Sequence, residues 1–213
     1  MNYYIVPVTE LEQNSTLLWC DHTDEAVIVD PGGDIDLIQQ QIRKLDIHPI
    51  EILLTHGHFD HVGGAKDLAK LLSIPITGPH IEDLFWFQGL EQQSRMFGLK
   101  YIIQNFIPDT WLKHGDKIHF GDEILQVLHC PGHTPGHVAY FNKQDQLAIV
   151  GDVLFKNGIG RTDLPGGSYE TLMRSITEQL WPLGDAVRFI PGHGPMSNFG
   201  EERLHSPFFS KML

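Results

Sequence analysis

"ILLTHGHFDHVGG", residues 52–64, is the stretch on which the reading of this chain turns. The apolar run Ile52, Leu53, Leu54 stops abruptly, and His56, His58, Asp60 and His61 then crowd into six positions. One histidine alone is most often a satisfied polar residue, but four metal-capable side chains in so short a span point to a shared ligand. His56 and His58 are two apart, so in an extended segment both leave the same face and can meet one ion, whereas a helix would splay them. Asp60 and His61 are adjacent and fall where the chain turns into the next helix, so they can reach a different spot nearby. One short motif can thus serve two metals.

The same arrangement of an apolar strand-like run, a sharp stop and a histidine or aspartate recurs in "QVLHCPGHTPGH" (126–137), "LAIVGD" (147–152) and "VRFIPGHG" (187–194). Ligand sites in layered α/β proteins gather just beyond strand ends, where loops converge on a rigid scaffold. A catalytic zinc takes three protein ligands plus a water. His133 can therefore complete the ion begun by His56 and His58, and His193 the one begun by Asp60 and His61. Asp152, with two carboxylate oxygens, can bridge them. The expected metal ligands are His56, His58, Asp60, His61, His133, Asp152 and His193. Imidazole and carboxylate donors suit two divalent ions, zinc by default, with iron or manganese as alternatives. His137 is read as packing or as a partner of a ligand, and Asp30 in "VDPGG" as a turn residue or such a partner. Cys130 is weighed as a thiolate ligand and read instead as a small buried packing residue.

Outward from these motifs, short β-rich runs ("YYIVPV", "STLLWC", "EAVIVD") lead into "DIDLIQQQIRKL", which has Ile35, Ile38, Ile42 and Leu45 at helical spacing and Asp34 as a candidate cap. "IEILLT", the helix "AKDLAKLLS" and the strand "IPIT" follow. Residues 80–115 look helical but interrupted by Gly89 and Gly98, and their aromatic side chains could shape a pocket. The second half repeats the alternation with "DKIHF", "EILQVLHC", "HVAYF" and "QLAIVGD". A helix around "SYETLMRSITEQL", the strand "VRFIPG" and a short closing helix then end the chain. Two sheets covered by helices fit this order. With no repeat or linker-like run, residues 1–213 are expected to form a single domain. The net charge of −12 speaks against gripping nucleic acid. No basic n-region precedes an apolar run and no apolar stretch is long enough to span a bilayer, so the expectation is a cytoplasmic protein with no membrane partner. Two cysteines are too few for a disulfide framework.

"THGHFDHVGG", "PGHTPGH", the "GD" at 151–152 and "PGHG" together resemble the ordered motifs of the metallo-β-lactamase superfamily, and within it the glyoxalase II-like hydrolases, which cleave the thioester of hydroxyacylglutathione. The resemblance covers most of the chain. It implies an α+β fold, a four-layer αββα sandwich with a dinuclear metal site at the edge of the sheets. It also implies that Arg161 in "GRTD" (160–163) holds the glutathione moiety, and a bridging Asp152 favours this group over the true β-lactamases, which commonly place a cysteine among their second-site ligands. Two features depart from larger glyoxalase II enzymes: the chain is expected to lack their extra C-terminal helical region, and Gly194 and Pro195 stand where they carry a tyrosine after the last metal histidine.

The expected activity is hydrolysis of S-lactoylglutathione or a similar small-molecule thioester by a metal-bridging hydroxide, with Asp60 orienting the nucleophile as well as binding metal. Two divalent ions, two aspartates and one hydroxide leave a net positive pocket for a developing oxyanion. The alternatives are a persulfide dioxygenase with a single iron, against which "PGHG" leans, and a lactonase or other hydrolase of the superfamily. A purely structural metal protein would be expected to use cysteines.

Overall fold

Apolar side chains on both faces of one strand require two cores. In the computed structural model, which describes residues 1–209, β1 (Asn2–Val8), β2 (Gln13–Trp19) and β3 (Glu25–Val29) form an antiparallel meander. Ala26 and Ile28 of β3 join one core, Val27 and Val29 another, and all four are buried. A strand without a polar face must lie between two layers. After α1 (Ile35–Leu45), β4 (His48–Leu53) runs parallel to β3 and splits in the same way, with Ile52 on one side and Leu53 on the other. Then come α2 (Phe59–Val62), α3 (Ala65–Leu72) and β5 (Ile76–Thr77), which completes a sheet of order β1-β2-β3-β4-β5. Ile38 and Ile42 of α1 and Leu68 of α3 pack on its outer face.

Residues 80–115 hold a 3-10 turn (Ile81–Asp83), α4 (Leu84–Gln88) and α5 (Leu90–Met96), the last two broken at Gly89. The second sheet comprises β6 (Lys117–Phe120), β7 (Glu123–His129), β8 (Val138–Asn142) and β9 (Leu147–Gly151), followed by a small separate hairpin of β10 (Leu154–Phe155) and β11 (Gly158–Ile159). α6 (Tyr169–Ser175) runs on as a π turn, and β12 (Arg188–Pro191), β13 (Ser197–Asn198) and α7 (Phe199–His205) close the chain. The order is β13-β12-β9-β8-β7-β6, with β12 parallel to β9. Ala139 and Phe141 of β8 face α6 and α7, while Val138 and Tyr140 face the first sheet.

The result is the four-layer αββα sandwich, with the Tyr140 hydroxyl donating across the sheet interface to the Leu54 carbonyl at 2.7 Å. Three details differ from expectation. Asp34 sits at the N-terminus of α1 but in a left-handed conformation (φ 44°) with no capping bond from its side chain. Its carboxylate instead accepts the Thr9 N–H at 2.6 Å. The hairpin β10–β11 and strand β13 were unexpected, and residues 210–213 of the expected domain lie outside the described ones. No helix among the described residues is long and apolar enough to cross a membrane. The ends of β4, β9 and β12 and the loop after β7 open on one edge of the sandwich.

Candidate metal centre

At the end of β4 the chain stays extended through His58 (φ −74°, ψ 144°), then coils into α2. This break separates the ligand pair before it from the pair within the helix. Asp30, in a left-handed turn after β3 (φ 48°), accepts the Thr55 N–H at 2.7 Å and lies 2.8 Å from His61 Nδ1. The two readings of Asp30 are thus both true: its backbone makes the turn and its carboxylate orients His61. Gln93 of α5 accepts the Phe59 N–H at 3.1 Å and donates to the Trp86 carbonyl at 2.9 Å, fixing the start of α2.

His56 Nε2 lies 3.1 Å from His58 Nδ1, which is 2.9 Å from His133 Nε2. Nitrogens around a tetrahedral zinc with bonds of about 2.0–2.1 Å stand about 3.3 Å apart, so this spacing is close to that of a ligand triangle. The second group is Asp60, His61 and His193: His193 Nε2 is 3.2 Å and His61 Nε2 3.8 Å from Asp60 Oδ2. Between the groups stands Asp152, with Oδ1 3.3 Å from His61 Nε2 and Oδ2 3.6 Å from His133 Nε2 and 3.9 Å from His193 Nε2. Asp152 reaches this point because Gly151 ends β9 in a left-handed conformation (φ 48°). Gly192, after β12, has to be glycine for a steric reason: a β-carbon there would overlap Asp152 Oδ1 and lie 2.6 Å from His61 Cε1.

These residues fit a pair of metal ions. Four of the histidines tie their outer nitrogen to protein and aim the other inward: His56 Nδ1 meets Thr55 Oγ1 at 3.0 Å, His61 Nδ1 meets Asp30, His133 Nδ1 meets the Arg161 carbonyl at 2.8 Å and His193 Nδ1 the Leu11 carbonyl at 3.1 Å. Such outer bonds select the tautomer whose inner nitrogen can bind metal. His61 Nε2 and Asp152 Oδ1 are buried, lie 3.3 Å from each other and make no hydrogen bond to any other group, so both are free to turn to a cation placed between them. Burial and the neighbouring His133 push His58 down to about 3, and burial likewise lowers His56 and His133, so this triangle is in the neutral form that coordinates metal. In the second group burial opposes the shift, but Asp152 and Asp60 hold His61 well above its ordinary range, and Asp60 raises His193. The two carboxylates are in turn held low, against burial, chiefly by His61.

The centre floors a cleft of about 890 Å³ whose walls include Trp86, Phe97, Tyr101 and Arg161. The Arg161 guanidinium lies on one wall, paired with Asp163 through two bonds of 2.8 Å. His137 stacks on His56 at 4.7 Å and accepts the Asp152 N–H on Nε2 at 3.1 Å, so it supports Asp152 from behind as well as packing. Cys130 is buried in the core under α6, and the lack of solvent pushes its thiol up to about 12, which suits packing and not coordination.

Asp83 went unnoticed in the sequence. Its carboxylate accepts the Gly57 N–H at 2.9 Å, the Thr134 hydroxyl at 2.8 Å and the Gly136 N–H at 2.6 Å, clamping the loop of His56 and His58 to the loop of His133. Nothing local marks it, because an acid in "HIEDLFWF" reads as a helix-start residue.

Fold and site together define a class: an αββα sandwich with a paired histidine–aspartate centre at its edge. The chain belongs to the Metallo-beta-lactamase superfamily, whose sequence profile matches residues 8–193. It is similar to a protein of Haemophilus influenzae described as hydroxyacylglutathione hydrolase GloC, 43% identical over 211 residues, 99% of either chain. Among solved structures it superposes on BLEG-1 B3 metallo-beta-lactamase with a TM-score of 0.90 at 34% identity, covering 98% of this chain and 100% of that one. It also superposes on TTHA1623 in a di-iron-bound form with a TM-score of 0.87 at 35% identity, covering 96% and 99%.

Proposed function

We propose that the chain is a metal-dependent hydrolase of glutathione thioesters, with S-lactoylglutathione or a similar hydroxyacyl-glutathione as substrate. The observation that carries this reading is Asp152, set between two groups of three potential ligands and within 3.9 Å of a histidine of each, Oδ1 near His61 and Oδ2 near both His133 and His193. The described relative from Haemophilus influenzae supports the substrate class. When bound, two divalent ions would supply a hydroxide nucleophile near neutral pH and polarise the acyl oxygen. His56, His58 and His133 would hold one ion, Asp60, His61 and His193 the other, and Asp152 both. The second group favours two ions over the single iron of a dioxygenase.

The chain's own groups do the rest. Asp60, fixed by His193, presents an oxygen toward the cleft that can accept a hydrogen bond from the attacking water and orient it. Trp86 and Phe97 on the cleft wall exclude water from one side of the reacting carbonyl. Arg161 would take a carboxylate of the glutathione moiety, exchanging one carboxylate partner, Asp163, for another. The leaving group is a thiolate, whose conjugate acid has a pKa of about 8.5, so no general acid is needed.

The test is the loss of S-lactoylglutathione absorbance with purified protein, before and after treatment with a chelator. Turnover that the chelator abolishes and added zinc, iron or manganese restores is expected. No turnover in metal-replete protein, or turnover indifferent to the chelator, would overturn the proposal.

A further inference from the structure

A second convergence of metal-binding side chains lies beside the Asp83 clamp and outside the residues that line the cleft. His80, whose N–H donates to the Gly136 carbonyl at 3.0 Å, opens the 3-10 turn, and Glu82 lies within that turn. His129 ends β7. The two imidazole rings lie 4.4 Å apart and tilted by 31°, and one oxygen, Glu82 Oε2, is 3.5 Å from His80 Nδ1 and 3.6 Å from His129 Nε2. The histidine side chains are 20% and 23% exposed, so the rings are held by packing while one edge stays open to solvent. Burial, with His129 and Lys113 nearby, lowers His80 and keeps its ring neutral, Glu82 opposing.

We propose that His80, Glu82 and His129 bind a third divalent ion, of the zinc, nickel or copper class, which braces the clamp and takes no part in the chemistry. Donor separations of about 3.3 Å are needed around a zinc with bonds of about 2.0–2.1 Å; both nitrogens are within a few tenths of an ångström of that from Glu82 Oε2, and all three donor atoms lie within 4.8 Å of one another. The donor set also selects the ion. His80 Nδ1 accepts the Glu82 N–H in a long bond of 3.4 Å, and His129 Nε2 lies 2.9 Å from the Pro135 carbonyl, to which it donates; coordination gives up both bonds and moves the His129 proton to Nδ1. A metal with affinity for imidazole repays this, whereas magnesium and calcium, which prefer oxygen, do not. The bound ion would join the 3-10 turn to the end of β7, and through it to residues 130–137, which carry His133.

The experiment uses the intact protein already loaded at its principal centre, titrated with zinc sulfate by calorimetry and followed by thermal unfolding. One further ion per chain is expected to bind with a micromolar dissociation constant and to raise the Tm. His80→Ala combined with His129→Ala should lose both effects while keeping the metal content of the principal centre and the basal hydrolytic rate. Glu82→Gln should weaken binding by at least about tenfold, the loss of a charged ligand or its partner. No further ion in the wild type, or the same binding in the double variant, would overturn the proposal. Neither result bears on thioester hydrolysis, which is assayed separately.

Discussion

Asp83 shows how much of this centre depends on a residue that binds no metal. Its neighbours are two backbone N–H groups and a hydroxyl, all donors, and removing the carboxylate strands them in a buried loop junction. Asp83→Ala should cost about 1.5–3 kcal/mol in urea unfolding. It should also lower kcat more than it changes KM, because the two ligand loops lose their common anchor. Burial, against those hydrogen bonds, pushes this carboxyl from 3.8 up to about 7. An acid raised on folding contributes stability that is full below its unfolded value and lost as pH rises through the folded one. The wild type should therefore lose stability between about pH 4 and pH 8 relative to Asp83→Asn, and equal pH slopes for the two would show that the raised pKa plays no such part. The metal-capable residues were legible because "HGHFDH" packs them by local spacing, and the structure gathers all seven at one edge. Asp83 was not, since its meaning arises only when loops 55–58 and 131–137 meet.

Loops after β4, β7, β9 and β12 converge because the strands bearing them share one end of the sandwich, and their close approach leaves no room for a side chain at Gly192. At Gly192 an added methyl would meet the Asp152 carboxylate and the His61 ring together. Gly192→Ala should lower metal affinity or hydrolysis by about 10–100-fold while the far-ultraviolet circular dichroism stays that of the wild type. Unchanged metal content and activity would show that the loop yields more readily than its packing suggests. At this scale the sequence was readable wherever a strand was buried on both faces, as "EAVIV" and "HVAYF" are. It was opaque for β10, β11 and β13, each only two residues long, where no period can be seen. Asp34 misled as well: the helix start is where its residue type indicates, but the carboxylate is drawn away to Thr9, a contact between segments 25 residues apart.

Three apolar layers hold the molecule together, and the middle one, between the sheets, sets the separation of the strand ends that carry the centre. Leu53, Val27 and Ile149 meet there, all at or near complete burial. Leu53→Ala should destabilise by about 2–5 kcal/mol, read from urea midpoints, and leave the ligands themselves intact. The four-layer arrangement was implied by the order of motifs, and the aromatic side chains of residues 80–115 do shape a pocket, with Trp86, Phe97 and Tyr101 on the cleft wall; what could not be read is how the segment is held, because Gln93 and Asp83 act through loops distant in sequence. The central claim is that two groups of three ligands, joined by Asp152, bind two ions. Its most direct measurement is the ratio of bound metal to chain by elemental analysis, on the wild type and on His58→Ala and Asp152→Ala. Two ions per wild-type chain are expected, with both variants depleted and nearly inactive toward the thioester. One ion in a fully active wild type, or near-normal activity in either variant, would contradict it.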